Sequence, residues 1–343
     1  MIDTCKFYVL MTNRVRRALL VAQDADHPIV KIYGNRFFVT HPFRRKKIKV
    51  YFSLERGELW LEESLPKILQ GHNVFGSNRL EMLCFNVIRL IYSELGVKFN
   101  QDEEQKIREA GIRLGRLDIT CSYWLESPEM VAQVLEYLYE QFRAEGKEWS
   151  AYGSASIETV YNQQYSTRVS DKYYNKGKEL ALKGRNIDAT VAQQKRILEI
   201  ARSLLRFEVT FRGKELADLG LDYAADWNVD RVKAELDTRI TQFKLQGVIR
   251  PKLQAMELAG LSDNCHTFYR LWVDGANLRK YRKYRTLDRV RKVLLEQHQV
   301  DIYRPAKTGC PVSLCDLLDP SRAHYSAPKS LVRSSAIFTG RKN

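Results

Sequence analysis

An α+β protein is what the sequence predicts: an antiparallel-sheet domain over residues 1–228, a smaller basic helical domain over 229–319, and a mobile basic tail over 320–343. Three observations predict it. The first half of the chain reads as alternating strands with a few helices. From about residue 229 the apolar residues recur at helical spacing instead. A length of 343 residues with 44% hydrophobic content is enough for two cores rather than one.

Residues 46–54 and 58–62 alternate on either side of Arg56-Gly57, which predicts a hairpin. Residues 79–95 carry apolar side chains at helical spacing and stop at Gly96. A second amphipathic helix covers 129–143, with Ser127 as its N-cap and Gly146 beyond its end. Strands are expected at 154–161 and 168–174, then helices at 177–184 and 190–204. The C-terminal helices are 229–245, 250–259, 263–273 and 286–298. The pair 250–259 and 263–273 around Ala259-Gly260-Leu261 has the outline of a helix-turn-helix, an outline shared with ordinary helical hairpins.

The formal charge is +15, and residues 270–343 hold 16 Lys and Arg against 6 Asp and Glu, a local balance of +10. Such a balance calls for a polyanionic partner. No segment approaches the roughly 20 apolar residues of a membrane span, and the first residues lack the apolar run of a signal peptide. Nucleic acid is therefore the expected partner rather than a membrane. Cysteines 5, 84, 121, 265, 310 and 315 form no CxxC pair, which argues against zinc and for reduced thiols in a cytoplasm.

The densest chemistry lies in Tyr173-Tyr174-Asn175-Lys176-Gly177-Lys178-Glu179-Leu180. A tyrosine hydroxyl titrates near 10 and becomes a nucleophile when a cation or metal helps it and a phosphate is held beside it. Alternatively, the stretch is a strand-end aromatic pair followed by a charged helix. Two further strands both read Arg-x-acid-x-Thr: Arg116-Leu117-Asp118-Ile119-Thr120 and Arg206-Phe207-Glu208-Val209-Thr210. Alternation puts Arg116, Asp118 and Thr120 on one face, and Arg206, Glu208 and Thr210 likewise. As neighbours in one sheet they gather two carboxylates and two guanidiniums on one surface; the structural alternative is two internal ion pairs.

Leu69-Gln70-Gly71-His72-Asn73-Val74-Phe75-Gly76 resembles the signature of the filamentous-phage replication initiators, the gene II/gene X family. Met1-Ile2-Asp3, the Arg116–Thr120 strand, Tyr174-x-Lys176-x-x-Glu179-Leu180, Leu205–Glu208 and Phe268-Tyr269-Arg270-Leu271 follow in the family's order. The resemblance implies a rolling-circle initiator that nicks one strand of a circular duplex origin through a tyrosine, forms a 5′-phosphotyrosyl link and reseals the displaced circle. Its implied partners are a duplex phage or plasmid origin, single-stranded DNA, and a host helicase and polymerase in the bacterial cytoplasm. The non-catalytic alternative is a sequence-specific DNA-binding repressor or plasmid-copy regulator.

The family's spacing to Lys176, Glu179 and Leu180 selects Tyr174 as nucleophile, while a gapless count from Tyr161-Asn162 selects Tyr173. No His-hydrophobic-His motif exists, so metal ligation falls to carboxylates, Asp118 and Glu208 with Glu179 as a third ligand or a helix-start residue. That donor set suits Mg²⁺ or Mn²⁺. Lys176 is expected on the Tyr174 side, lowering its pKa or touching phosphate. His72 is open between metal ligand, phosphate contact and turn cap. Arg116, Arg206, the cluster Arg44, Arg45, Lys46 and Lys47, and the cluster Arg279, Lys280, Arg282 and Lys283 are the expected DNA contacts.

Overall fold

The computed structural model describes residues 1–24, 32–40, 47–144, 149–153, 157–182, 191–243, 248–249, 258–274, 276, 278, 284–298, 300–303 and 312–324. Two compact units emerge. One is built on Met1–Leu135 and Glu148–Ile240, to which His324 also belongs, and the other on Glu136–Lys147 and Thr241–Ala323.

The first unit is organised by a ten-stranded sheet. Its strands are β1 (Ile2–Leu10), β2 (Ile32–Tyr33), β3 (Arg36–Val39), β4 (Ile48–Ser53), β5 (Glu58–Ser64), β6 (Arg113–Trp124), β7 (Trp149–Tyr152), β8 (Thr159–Asn162), β9 (Val169–Asn175) and β10 (Leu204–Arg212). Their spatial order is β2-β3-β4-β5-β1-β6-β10-β9-β8-β7, every neighbour antiparallel. The expected hairpin is β4–β5, turning at Gly57, whose φ of 66° needs a residue without Cβ. The two Arg-x-acid-x-Thr strands are direct neighbours: Arg116 pairs with Arg212, Asp118 with Thr210 and Thr120 with Glu208.

One face of this sheet is apolar because every second residue is. Cys5, Phe7 and Val9 of β1, Leu59 and Leu61 of β5, Leu117, Ile119 and Cys121 of β6, and Phe207, Val209 and Phe211 of β10 are all buried. Burying each large side chain among them is worth roughly 1.5–3 kcal/mol. The helix Leu80–Glu94 buries Leu83, Cys84, Val87, Ile88 and Ile91, a stripe at spacing three and four. It ends before Gly96, as its periodicity predicts. In the 129–143 region the helix spans Pro128–Ala144, and Ser127 Oγ accepts the Met130 N–H at 3.2 Å. Gly146 lies outside the described residues.

A short helix, Leu65–Gln70, leaves β5 and ends at Gly71 with φ 79°, the left-handed C-cap that glycine adopts without strain. Beyond β9 the chain enters the helix Lys176–Leu182 directly, and the helix Val191–Arg202 leads into β10. In the second unit, helices Asp263–Val273 and Tyr284–His298 bury Cys265, Phe268, Trp272, Leu287, Val290 and Leu294 together. Residues 250–257, most of the first half of the expected helix-turn-helix, lie outside the described residues. No described helix is long and apolar enough to cross a membrane. Cys5, Cys84, Cys121 and Cys265 are buried free thiols.

Candidate active site

The second face of the sheet is polar, and its chemistry converges where β6, β10 and β9 lie side by side. Asp118, Glu208 and Tyr174 share this face by alternation and pairing register. Tyr174 Oη donates to Glu208 Oε2 at 3.0 Å, and Lys172 Nζ stands 2.7 Å from Glu208 Oε1. Arg116 grips Asp118 with both ends of its fork, Nε to Oδ1 at 2.9 Å and Nη2 to Oδ2 at 2.8 Å, and reaches Glu62 with Nη1 at 2.9 Å. Asp118, Glu208 and Tyr174 are 2%, 4% and 5% exposed.

Dry surroundings set the protonation of this cluster. Burial, then the neighbouring Glu208 charge, pushes the Asp118 carboxyl up to about 6 against the pull of Arg116. Burial opposes the charge on Lys172, but Glu208 outweighs it and holds the ammonium above its ordinary range. Burial and the Glu208 charge raise the Tyr174 phenol well above its ordinary value. This is the reverse of a phenol lowered by Lys176, one of the two roles the sequence left open for that lysine. Burial dominates because the cation that would help is turned elsewhere.

Lys176 is fully buried, and its Nζ donates to Asn73 Oδ1 at 2.8 Å and Glu179 Oε2 at 2.7 Å, while lying 5.8 Å from the Tyr174 ring centre. Burial, then Arg206, lowers it to about 7. Asn73 Nδ2 donates in turn to Asp3 Oδ2 at 2.7 Å, and Ser64 Oγ donates to Asp3 Oδ1 at 2.5 Å. Glu179 also faces Lys67 at 4.0 Å. Glu179 thus belongs to this lysine network and does not join Asp118 and Glu208.

Arg206, expected to contact DNA, is fully buried and clamps the 71–76 loop: its two terminal nitrogens donate to the carbonyls of Asn73 and Val74, and Nε to Ser122 Oγ at 3.1 Å. A guanidinium so bound positions the loop rather than a phosphate. His72 is buried in the same loop, with Gln70 Nε2 donating to its carbonyl at 3.0 Å. Tyr173 points to the opposite face, fully buried, its ring centre 4.6 Å from that of Phe207, and burial raises its phenol. Lys47 is exposed just before β4. Arg44, Arg45, Lys46, Arg279, Lys280, Arg282 and Lys283 lie outside the described residues.

Residues of this arrangement that have no role from sequence reasoning include Lys172, Asp3 and Ser64. Lys172 is readable as the residue two before Tyr174, on the same strand face. Its meeting with Glu208 depends on the β9–β10 register.

Among the described residues no group of three or more His, Cys, Asp and Glu side chains converges as a metal site. The two-carboxylate pair still fits a hard divalent cation. Asp118 and Glu208 are oxygen donors on one face, the Asp118 carboxyl raised first by burial and then by the Glu208 charge, and Mg²⁺ commonly keeps water and substrate phosphate oxygens as its other ligands. Arg116 and Lys172 already balance that charge, so an ion would compete with them.

The family described as the N-terminal region of the phage replication-associated protein, the gene II product, matches residues 1–230. The chain therefore belongs to this phage replication-initiator family, as the motifs at 69–76 and 174–180 imply. A relative, the replication-associated gene II protein of Enterobacteria phage I2-2, is 25% identical over 244 residues, covering 69% of this chain and 68% of that protein. A solved rolling circle replication initiator protein from Geobacillus stearothermophilus aligns over 70% of this chain and 83% of its own with 10% identity. Its TM-score is 0.36, too distant a likeness to bear on this chain's chemistry.

Proposed function

We propose that this chain initiates rolling-circle replication by nicking one strand of a circular duplex phage origin through Tyr174, remaining joined to the 5′ end, and resealing the displaced single-stranded circle. The observation that carries the reading is the hydrogen bond from Tyr174 Oη to Glu208 Oε2 at 3.0 Å, on the face that also holds Asp118. A nucleophile touching a group able to take its proton is the arrangement that covalent catalysis requires. Membership of a replication-associated family supplies the biological setting.

In the proposed reaction the Tyr174 oxygen attacks the phosphorus and its proton passes to Glu208. The bond from phosphorus to the 3′ oxygen breaks; that oxygen leaves with the electron pair and takes a proton from water. Tyr174 then carries the 5′ phosphoryl group, and the diester energy is conserved. On closure a 3′ hydroxyl gives up its proton to water and attacks the phosphorus; the bond from phosphorus to the Tyr174 oxygen breaks, and Glu208 returns the proton to the phenolate. Before the strand enters, Lys172 holds the other oxygen of Glu208. Tyr174 is 5% exposed, so strand entry requires side chains over it to move, and a phosphate attracts Arg116 and Lys172 out of their ion pairs. Asp118 and Glu208 would hold Mg²⁺ or Mn²⁺, which supplies Lewis-acid polarisation of the phosphate.

The released 3′ hydroxyl suits a host polymerase, a host helicase would open the duplex ahead, and the bacterial cytoplasm is the proposed setting of the reaction. The test is incubation of the protein with supercoiled origin DNA and Mg²⁺. Nicked circles carrying covalent protein are expected. Binding that leaves the DNA intact would replace this reading with that of a non-catalytic repressor.

A further inference from the structure

The polar face continues past Asp118 toward the other end of the strands. There Tyr51 of β4, Trp60 of β5 and Tyr8 of β1 stand in one cross-strand row. The Tyr51 and Trp60 rings are 5.6 Å apart at 10°, and those of Trp60 and Tyr8 are 6.2 Å apart at 28°. All three are partly exposed. The core below does not need them, since Phe52, Leu59, Leu61 and Phe7 fill the opposite face of the same strands.

Cations flank the row. Lys49 Nζ lies 5.7 Å from the Tyr51 ring centre, Lys6 Nζ 5.6 Å from Tyr8, and the Arg113 guanidinium 4.6 Å from Tyr8. Strand alternation puts the exposed Lys47 beside Lys49 on this face. Two carboxylates temper the charge: Glu58 pairs with Arg113 at 3.3 Å and Glu62 with Arg116 at 2.9 Å. Lys6, Lys47 and Lys49 leave the balance positive. Arg113 precedes Asp118 by five residues of β6, roughly 17 Å of strand, so the row lies several nucleotides from the carboxylate pair.

We propose that this face of β4, β5 and β1 is a platform for single-stranded DNA, taking the strand that flanks the cleaved phosphate. Tyr51, Trp60 and Tyr8 meet unstacked bases, and Lys6, Lys47, Lys49 and Arg113 meet the backbone. Aromatic side chains recognise the π-faces of bases without regard to sequence, and a duplex keeps those faces stacked inside. A single strand is therefore the partner whose chemistry uses both the rings and the cations. Placing the strand beside the cleaved phosphate rests on the Tyr174 reading above.

The test uses the full chain and a fluorescein-labelled oligothymidylate long enough to span the sheet. Trp60→Ala should weaken its binding roughly 5- to 100-fold, and Trp60→Phe, which keeps a ring, should retain most of it. Lys49→Gln should flatten the salt dependence. Unchanged affinity in Trp60→Ala, or an equal loss for duplex of the same length, overturns the platform. Should Trp60→Ala not fold, photocross-linking of iodouracil-substituted oligonucleotide to the unmodified chain decides: adducts on Tyr8, Tyr51 or Trp60 support the platform, and adducts confined elsewhere overturn it. The tyrosyl-adduct assay on origin DNA, run in parallel, separates the two readings. An adduct with unchanged Trp60→Ala affinity removes only the platform; no adduct with lost affinity removes only the Tyr174 reading.

Discussion

On one face of β9 and β10, Tyr173 lies against Phe207 in an apolar core; on the other, Tyr174 donates to Glu208 beside Lys172 and Asp118. The two tyrosines are adjacent in sequence and both buried, and burial raises both phenols. What separates them is company. Tyr173 has an aromatic ring packed against its own, whereas Tyr174 has a carboxylate accepting its hydrogen bond, two cations near its ring and a second carboxylate across the strand pair. Strand alternation converts one step along the chain into a change of chemical environment.

Tyr174→Phe tests the comparison hardest. It removes one oxygen, so cleavage and the covalent adduct should fall by at least about 10³-fold, read by denaturing gel after protease treatment of nicked DNA. Tyr173→Phe should retain cleavage, and peptide mapping of an adduct on Tyr173 would overturn the assignment. Next in size is Glu208→Gln, expected to slow cleavage about 10²- to 10⁴-fold while gel-shift affinity for duplex stays close to the parent's. A rate unaffected by that change would remove Glu208 as proton acceptor.

On the core face the loss should appear as stability instead. Tyr173→Ala opens a cavity against Phe207 and should cost about 3–5 kcal/mol, measured by denaturant unfolding. A cleavage defect without a shift in the unfolding midpoint would contradict its structural role. The smallest effect concerns Asp118 and pH. Its folded carboxyl titrates near 6 rather than 3.8, so the native protein binds the extra proton and Asp118 contributes stability that is present below about pH 4 and lost as pH rises through 6. Relative to Asp118→Asn, the metal-free parent should gain up to about 3 kcal/mol between pH 7 and pH 4. A constant difference across that window would show that Asp118 is not perturbed.

The hairpin at Gly57, the helix before Gly96 and the facing of Asp118 and Glu208 are legible in the sequence because each depends on a local period or a turn residue. The fate of Arg206 is not. Its alternation correctly places it on the polar face, but nothing within a strand tells whether a guanidinium meets solvent or the carbonyls of a loop about 130 residues away in sequence. Lys176 escapes prediction for the same reason, its partners Asn73 and Glu179 being supplied by another loop and by the next helix turn.

Residue order alone was enough for the family, the antiparallel strands, the basic character and the short set of side chains from which a phosphate-transfer site would be drawn. How those side chains divide into groups came from the fold. It joined Tyr174 to Glu208 and Lys172, gave Lys176 to Asn73 and Glu179 with Asp3 behind them, and set Tyr8, Trp60 and Tyr51 in one row. Periodicity assigns a residue to a face, whereas register and loop placement assign its neighbours, and the neighbours set burial, charge and proton affinity.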